Sequence, residues 1–407
     1  MLLMKTKILS LICILPMFFY CCSSANNTPD TPDNPGNNEN PNQEQTVVLA
    51  PEIHNGDRVL ATNENAEKFL TEVQYPDHDY SFTKILDYKG GFNGHLEEGE
   101  VVKSDKPQEY TIRWKADAAA GNLTFKLADA TWSNEITVDK GDSCVTITNL
   151  VPNDHYTYSV TAADGKVMTQ GEFDTYGHLH QVFFKTNVRN GRDLGGWKTY
   201  DGKMVKYRMV YRGGRLEPSK LSVKGKKEVL AEGIRAQLDL RGVDDVLSKP
   251  AIDALDFCAP VIETGGDNML NEGRDKTRQC FEFVVKCLRE NKPVYFHCSL
   301  GRDRTGTLAM ILLGVLNVVE GDISKEYELT YFAPRGYSIA ESEDYTTFQN
   351  TRTKWAYKPA AEYIWNNFVG EGESFATGVE KYLLSIGVVQ QDIDDFRSMM
   401  LVEAPKE

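Results

Sequence analysis

The sequence predicts an α/β domain with a central sheet flanked by helices, preceded by an N-terminal all-β sandwich domain. In the C-terminal half, the apolar run Val294–Phe296 leads into a glycine-containing stretch and then into the apolar segment Leu308–Val319. This order is typical of strand, tight loop and helix. Before about residue 176, short segments alternate apolar and polar residues, as half-buried strands do. A chain of 407 residues has room for both domains.

The same periodicities locate the individual elements. In the N-terminal half, strands are predicted at Tyr110–Trp114, Val145–Leu150 and Tyr156–Val160. In the C-terminal half, strands are predicted at Ala236–Leu240 and Val294–His297, and helices at Thr277–Glu290, Thr305–Val319, Ile323–Phe332, Lys358–Phe368, Ser374–Ser385 and Asp392–Leu401. The helix from Thr305 is apolar on nearly all sides, so we expect it to be buried.

The spacing of Leu150, Pro152 and Tyr156 resembles the Leu-x-Pro-x-x-x-Tyr corner of fibronectin type III domains. That resemblance implies a β-sandwich in which Trp114 fills the core. Residues 51–105 fit either added strands or a separate small lobe, and both alternatives stay open.

Residues 1–22 have the pattern of an export signal. Two lysines precede an apolar run from Ile8 to Tyr20, which is too short to span a bilayer. Two cysteines follow, and a cysteine at this point resembles a bacterial lipoprotein cleavage site. The pattern predicts an exported lipoprotein anchored to a membrane through Cys22, in the periplasm or on the cell surface. Secretion after cleavage at Ala25 and an uncleaved anchor are the alternatives.

The stretch after the signal is polar and rich in proline, so it cannot bury enough apolar surface to fold. It predicts a semi-extended tether. The predicted organisation is a signal segment at 1–22, a disordered linker at 23–46, a fibronectin type III-like β-sandwich at 47–176 and a catalytic domain at 177–407.

Residues 297–306 read His-Cys-Ser-Leu-Gly-Arg-Asp-Arg-Thr-Gly. A tight loop that ends at a helix N-terminus turns backbone N–H groups towards an anion. Cys298 would lie where that anion binds, and only its thiolate is a nucleophile. The N–H groups, the helix dipole and Arg304 all favour the thiolate. The layout suits attack on a phosphate monoester without a metal or other cofactor.

The remaining positions of the loop fit this chemistry. Arg304 offers a planar fork for two phosphoryl oxygens, and the Thr305 hydroxyl can donate to the sulfur. Gly301 allows a turn that a Cβ would obstruct. The His297 ring is expected to point away from the site and hold the loop. The predicted substrate-binding residues are Ser299, Leu300, Gly301 and Arg302.

This block resembles the cysteine-dependent protein tyrosine phosphatase superfamily. Residues 187–196 read Asn-Val-Arg-Asn-Gly-Arg-Asp-Leu-Gly-Gly, and Gly-Gly-Arg-Leu and Leu-Asp-Leu-Arg follow at 213–216 and 238–241. This order is similar to the bacterial tyrosine phosphatase family that opens with Asn-Phe-Arg-Asp-Leu-Gly-Gly and carries a Cys-x-x-Gly-x-Asp-Arg-Thr-Gly loop. Residues 378–384 also resemble that family's C-terminal helix. The resemblance extends over roughly 180–401.

Two departures from the family pattern stand out. An additional Asn-Gly lies between Arg189 and Arg192, which predicts a longer first loop. Position 302 is arginine where several relatives have lysine, so a preference for lipid phosphates does not carry over directly.

The resemblance implies a phosphatase acting on phosphotyrosine in proteins through a phosphocysteine intermediate, and the N-terminal signal pattern predicts that it is exported. Inositol polyphosphates and phosphoinositides are alternative substrates, although they favour more cations in the loop than the additional Arg302. Another alternative is a surface protein that binds phospho-ligands through a weak or inactive phosphatase domain. The intact set of Cys298, Arg304 and Thr305 argues against it.

The general acid has two candidates. The resemblance favours Asp303, which lies within the loop that must touch the substrate and whose pKa a bound phosphate would raise. Asp267, in the loop at 263–272, is the rival. Asp239 and Arg241 fit either a role in the site or an ion pair at a strand end.

Charge and composition narrow the partners. The net charge of −14 argues against general nucleic-acid binding. The segment Lys185–Lys227 is different, with thirteen Lys/Arg against three acidic residues. It predicts either a basic rim around the anion site or a solvated basic face.

The remaining histidines and cysteines carry less information. Cys280 and Cys287 lie seven positions apart in a predicted helix and are expected to face the core. Cys258 is the candidate resolving partner for Cys298. Three histidines lack a clustered ligand set and are expected on the surface, namely His54, His78 and His95.

Overall fold

The computed structural model describes residues 50–78, 88, 106–117, 121–139, 141–184, 188–333 and 357–404. Strands β1–β7 are Arg58–Leu60, Tyr110–Arg113, Leu123–Ala128, Ser133–Val138, Cys144–Ile147, His155–Ala162 and Val167–Tyr176. Strands β8–β14 are Arg192–Asp193, Lys203–Val205, Val210–Gly213, Ala236–Asp239, Asp256–Cys258, Val294–His297 and Leu401–Glu403. Helices α1–α8 are Glu64–Glu72, Val223–Ala231, Arg274–Arg289, Asp303–Val315, Glu320–Glu328, Tyr357–Phe368, Phe375–Ser385 and Gln390–Met400. Among these residues, no helix is long and apolar enough to cross a membrane.

The predicted strands of the N-terminal half are present. β1, β7, β6, β3 and β4 form one sheet in that order, and β2 pairs with β5. Side chains from both sheets share one hydrophobic cluster, which includes Trp114. Tyr156 is fully buried there, and its hydroxyl accepts a hydrogen bond from the Val151 N–H at 2.9 Å. The Leu-x-Pro-x-x-x-Tyr segment therefore forms a closed corner.

Residues 51–78 divide between the two halves of the molecule. β1 pairs in parallel with β7, whereas α1 packs into the hydrophobic cluster of the C-terminal half. The Phe69 ring on α1 contacts Phe332 edge to face, with centroids 6.0 Å apart. The buried Lys325 ammonium donates to the Leu70 carbonyl at 3.2 Å. A helix that precedes most of the N-terminal strands thus completes the core of the C-terminal half.

The C-terminal half is built on a five-stranded sheet with the order β12-β11-β13-β10-β8. β13 is central and parallel to both β10 and β11, and only β8 runs antiparallel to its neighbour. All four residues of β13 are buried, as expected for a parallel strand covered on both faces. In the pairing register, Gly213 and Asp239 both lie opposite His297. The loops that follow β10, β11 and β13 therefore meet at one edge.

Helix α4 confirms the prediction of a buried apolar helix, since every residue from Thr305 to Val315 is buried. Its bounds differ from the prediction of Thr305–Val319. The helix begins at Asp303, whose negative charge is favourable in the first turn. It ends at Val315 because Asn317 adopts a left-handed conformation with φ of 63°, as a residue just beyond a helix often does.

Other elements show the limits of periodicity. The predicted helix Ile323–Phe332 is α5 followed by a 3₁₀ turn at Leu329–Phe332. Helix α2 has few apolar positions, so periodicity does not predict it, although Ser222 caps its start by accepting from the Gly225 N–H.

Candidate active site

The cysteine lies in the loop between the central strand and the buried helix. β13 ends at His297, Cys298 follows directly, and α4 begins at Asp303. Cys298 is 6% exposed at the carboxyl edge of the parallel sheet, which is the edge where ligands bind in such folds. The first N–H groups of α4 have no partner within the helix. The fold thus places a thiol next to N–H groups that have no partner within their own helix.

Gly301 has two structural reasons to be glycine. Its φ of +71° lies in the left-handed region, which other residues rarely adopt. A Cβ at this position would also lie 2.2 Å from the carbonyl carbon and oxygen of Gly213. Strand β10 therefore packs directly against the loop backbone, and the predicted requirement for glycine is confirmed.

The carbonyl of Gly301 is held from behind by two side chains. Arg212 on β10 donates to this oxygen through Nη2 at 2.5 Å. Asn190, which has a left-handed φ of 60°, donates through Nδ2 at 3.0 Å and also approaches the Leu300 carbonyl at 3.3 Å. The Asn-Gly that departs from the family pattern thus supplies a contact to the loop.

A buried carboxylate organises these donors. Glu326 on α5 accepts from Arg212 Nη1 at 2.6 Å and from Arg192 Nε at 2.7 Å. Arg192 also donates to the Asn190 side-chain oxygen. All three charged side chains are at most 3% exposed, so two guanidinium groups share one carboxylate in the interior. Burial, together with the neighbouring Arg212, lowers the pKa of Arg192 to about 10, and the group stays charged at neutral pH.

The front of the loop is less occupied by protein partners. Arg304 donates from Nε to the Thr264 carbonyl at 2.9 Å, which fixes one side of its guanidinium. Within the described parts of the chain, the fully buried Thr305 hydroxyl has no hydrogen-bond partner. A buried hydroxyl without a partner is costly, so this group is suited to meet a ligand or the nucleophile.

The aspartate of the loop makes a different set of contacts. Asp303 accepts from Arg302 Nε at 3.1 Å and Nη2 at 3.2 Å, and from the Tyr327 hydroxyl at 3.3 Å. The Arg302 side chain is 10% exposed. Burial would lower the pKa of Arg302, but the Asp303 carboxylate outweighs it and raises that pKa. Arg302, a predicted substrate-binding residue, is therefore committed to Asp303 at the start of α4.

The rival acid lies on a segment that packs on the same helix start. Thr307 donates to the Gly266 carbonyl at 2.9 Å. A Cβ on Gly266 would lie 2.7 Å from the Asp303 carbonyl carbon, so the two backbones are in close contact. Asp267, the next residue, is half-buried. The structure thus brings Asp267 and Asp303 to the same region.

The ring of His297 braces the loop, as predicted. Gln237 accepts from the Ala251 N–H through Oε1 at 2.7 Å, which turns its Nε2 towards His297 Nε2 at 2.9 Å. His297 Nε2 is therefore the acceptor, and Nδ1 carries the proton that it donates to the Cys298 carbonyl at 3.1 Å. Complete burial lowers the pKa of His297, which is consistent with a neutral ring.

Asp239 and Arg241 form a buried ion pair at the end of β11. Arg241 donates to both Asp239 oxygens at 2.9 Å and to Glu217 at 2.9 Å. Burial tends to raise the pKa of Asp239, but the hydrogen bonds from Arg241 lower it overall. Asp239 also lies 3.8 Å from His297 Nδ1, so the ion pair is linked to the loop through His297.

Two cations of the predicted basic segment are buried, and its other described cations are exposed or half-buried. Arg192 and Arg212 are buried with Glu326, and Arg208 pairs with Asp129 in the N-terminal half. At the mouth of the loop, the Ser299 hydroxyl instead lies 3.3 Å from an Asp245 carboxylate oxygen.

The cysteine predictions have mixed outcomes. Cys280 and Cys287 are buried, as expected. Cys258 was the wrong partner for Cys298, because its strand β12 is two strands from β13. Two interstrand spacings amount to about 10 Å, beyond the reach of a disulfide. Of the histidines, His54 and His78 are exposed, and His95 lies outside the described residues.

Sequence reasoning missed Glu326, Arg212 and Asn190 as groups around the loop. Arg212 lies in a segment that resembles the family and Asn190 in the Asn-Gly that departs from it, and both positions were signals in the sequence. Glu326 had no local signal, because its helix is polar in sequence although nearly all of it is buried, and it meets Arg192 across 134 positions of the chain.

Three comparisons with known proteins extend this picture. A candidate tyrosine-protein phosphatase of Cupriavidus necator is 27% identical over 172 residues, which is 36% of this chain and 62% of that protein. The chain thus spans less than two thirds of this relative's length. Two crystal structures of TpbA from P. aeruginosa are 13% identical and cover 46% of this chain and 90% of theirs. Their TM-scores are 0.28, for a Cys-to-Ser variant in complex with phosphotyrosine, and 0.27.

The remaining comparison covers most of the C-terminal half. The model of the tyrosine phosphatase family matches residues 185–402, which contain the loop, both supporting arginines and Glu326. The match begins and ends close to the limits predicted from the motifs. The chain belongs to the tyrosine phosphatase family.

Proposed function

We propose that this chain is a cysteine-dependent phosphatase that hydrolyses phosphotyrosine in proteins. The observation that carries the proposal is the position of Cys298, between the central parallel strand and the start of helix α4, with Arg304 in the first turn. Free N–H donors at a helix start, a guanidinium and a thiol in one loop suit an attack on a bound phosphate.

The proposed reaction has two steps. The Cys298 thiolate attacks phosphorus, an S–P bond forms, and the ester P–O bond breaks as the leaving oxygen takes a proton. Water then attacks phosphorus, the S–P bond breaks, and inorganic phosphate leaves as the thiolate and the acid are regenerated. Arg304 and the loop N–H groups stabilise the charge on the transferring phosphoryl group. Thr305 donates to the departing sulfur in the second step.

We retain Asp303 as the proposed general acid, since it adjoins Arg304 in the loop itself. A specific observation supports Asp267 as the alternative. Asp303 already accepts hydrogen bonds from Arg302 and Tyr327, and such donors stabilise an ionised carboxylate.

The acid can be identified by the dependence on the leaving group. If Asp303 is the acid, Asp303→Asn slows hydrolysis of a phosphotyrosine peptide much more than that of an activated aryl phosphate, which needs little protonation. The alkaline fall of the activity profile also flattens, and Asp267→Asn changes little. The reverse pattern in the two variants would assign the acid to Asp267.

Two features favour monophosphate substrates over inositol polyphosphates and phosphoinositides. Arg302, the additional cation of the loop, is nearly buried and paired with Asp303. The Asp245 carboxylate beside Ser299 adds negative charge at the mouth of the loop. Both reduce the attraction for a second phosphate group.

A substrate panel tests the proposal. Phosphotyrosine and phosphoserine peptides, an inositol polyphosphate and phosphoinositide vesicles are compared with a chelator present throughout. We expect the highest kcat/KM for phosphotyrosine peptides. Preference for an inositol phosphate would move the function to the first alternative. Binding of phosphopeptides without turnover would support the phospho-ligand-binding alternative.

We also propose that the chain is exported and anchored through a lipid on Cys22, with the N-terminal half as a fibronectin type III-like sandwich on a tether. The signal and tether, residues 1–46, lie outside the described residues. The sandwich proposal is supported by the two sheets around Trp114 and by the Tyr156 corner. Incorporation of a labelled fatty acid that is lost in Cys22→Ser tests the anchor, and soluble secreted protein would contradict it.

A further inference from the structure

Behind the catalytic loop lies a set of buried side-chain hydrogen bonds that the proposed reaction does not itself require. Gly301 O receives two hydrogen bonds from side chains, from Arg212 at 2.5 Å and Asn190 at 3.0 Å. A peptide whose carbonyl is held on one side presents its N–H to the other side, because the two groups point in opposite directions across a planar peptide bond. Fixing this oxygen therefore also fixes the N–H of Arg302.

The donors are themselves held. Arg212 reaches Gly301 with one terminal nitrogen while the other binds Glu326 at 2.6 Å. Glu326 binds Arg192 as well, and Arg192 in turn donates to the side-chain oxygen of Asn190. The side chain of Asn190 is thereby oriented with its amide nitrogen towards the loop. One carboxylate thus indirectly positions both donors to the same carbonyl.

The charges in this cluster do not balance. Two guanidinium groups and one carboxylate leave one net positive charge buried behind the loop. Buried charges are weakly screened, so an excess cation favours an anion bound in the loop. The cluster therefore provides both geometry and charge to the phosphate site.

We propose that Arg212 and Asn190 are positioning residues, held by Glu326, which orient the Gly301–Arg302 peptide for phosphate binding by the loop. This inference rests on the proposed function, since it concerns the same loop. It extends that function to residues on β10, α5 and the segment before β8 that have no direct contact with the reacting atoms.

The test measures anion binding separately from turnover. Iodoacetamide alkylates Cys298 in the full chain, and inorganic phosphate bound in the loop protects it. The phosphate concentration that halves the alkylation rate reports the affinity, and the pH dependence of that rate without phosphate reports the thiolate. Neither measurement requires the protein to turn over a substrate.

Arg212→Lys keeps the buried positive charge but loses the fork that reaches Glu326 and Gly301 together. We expect protection by phosphate to weaken about tenfold, which corresponds to one buried hydrogen bond lost. The pH midpoint of alkylation should stay unchanged, because the charge is kept. Asn190→Ala should weaken protection by a smaller factor, since the carbonyl retains Arg212.

A matched control lies at the other end of helix α4. Arg397 also joins a backbone carbonyl, that of Val315 at 2.9 Å, to a carboxylate, that of Glu380 at 2.7 Å. Arg397→Lys should leave phosphate protection as in the wild type. Equal weakening in Arg397→Lys would mean that any arginine lost near α4 disturbs the loop, and would overturn the inference.

The remaining outcomes are also decisive. Wild-type affinity in a folded Arg212→Lys variant would show that the fork does not position the loop. If Arg212→Lys does not fold, Asn190→Ala decides alone, and unchanged protection in that variant overturns the inference. Absence of turnover by the wild type, with phosphate protection intact, would refute the phosphatase proposal and leave the positioning role standing.

Discussion

The two sides of the Cys298 loop are built in opposite ways. Behind the loop, Arg192, Arg212 and Glu326 are buried and joined by short hydrogen bonds. In front of it, Arg304 has one bond to a backbone carbonyl, and the buried Thr305 hydroxyl has no partner among the described residues. The difference indicates that several side-chain hydrogen bonds hold the loop from behind, whereas a hydroxyl is left available at the front, where a ligand must enter.

The largest expected effect comes from replacing the proposed nucleophile of the loop. Cys298→Ser should fold and lose activity by several orders of magnitude, because a hydroxyl ionises far less readily than a thiol. Steady-state hydrolysis of a phosphotyrosine peptide measures the loss. Cys258→Ser, on a strand two positions away in the sheet, should retain full activity. More than a few per cent of activity in Cys298→Ser would rule out the covalent mechanism.

Arg304→Lys tests whether the interaction with the phosphate depends on the geometry of the guanidinium group or on its charge alone. The charge is kept, but the bidentate fork is lost. We expect kcat/KM to fall about a hundredfold, as for other groups that stabilise transition-state charge. Both KM and kcat should change, with little change in the melting temperature. Wild-type kinetics in this variant would contradict the assignment of Arg304 to the phosphate.

Gly301→Ala tests the junction between the two sides. The left-handed φ and the 2.2 Å approach to Gly213 should together cost about 1–3 kcal/mol in the free energy of unfolding, measured by urea denaturation. Gly202 has a φ of +81° but open space around its Cβ position, so Gly202→Ala isolates the backbone conformation. Equal losses in both variants would show that the contact with β10 adds nothing.

The smallest expected effect concerns pH. Burial lowers the pKa of His297 in the folded protein, so below about pH 6.5 the unfolded chain takes up a proton that the folded chain resists. Stability should therefore decrease as the pH falls from 7 to 5, by at most about 1.4 kcal/mol per pH unit. In His297→Asn, the amide can still donate to the Cys298 carbonyl but does not titrate. An unchanged pH slope in that variant would exclude His297 as the cause.

The residues at the front of the Cys298 loop could be predicted from the sequence, whereas most of the residues behind it could not. Cys298, Gly301 and Arg304 lie within one strand–loop–helix segment, so neighbouring residues in the sequence indicate both the local geometry and the chemistry. Glu326 acts across 134 positions, and α1 reaches Lys325 across 255, so no periodicity records these contacts. The same holds for two residues of the basic segment, since the burial of Arg192 and Arg212 depends on Glu326, a partner far along the chain.

The path of helix α1 also has a mechanical consequence. The chain passes from strand β1 to α1 in the core of the C-terminal half, returns to the N-terminal strands at β2, and leaves them after β7. Two of these crossings run side by side, with the Thr62 hydroxyl bonded to the Leu179 carbonyl at 3.0 Å. Because the crossings at Thr62 and Leu179 are bonded to each other, they resist the relative rotation that a single connection would allow. A proteolytic cut in one of these two crossings should therefore leave the two halves joined through the other.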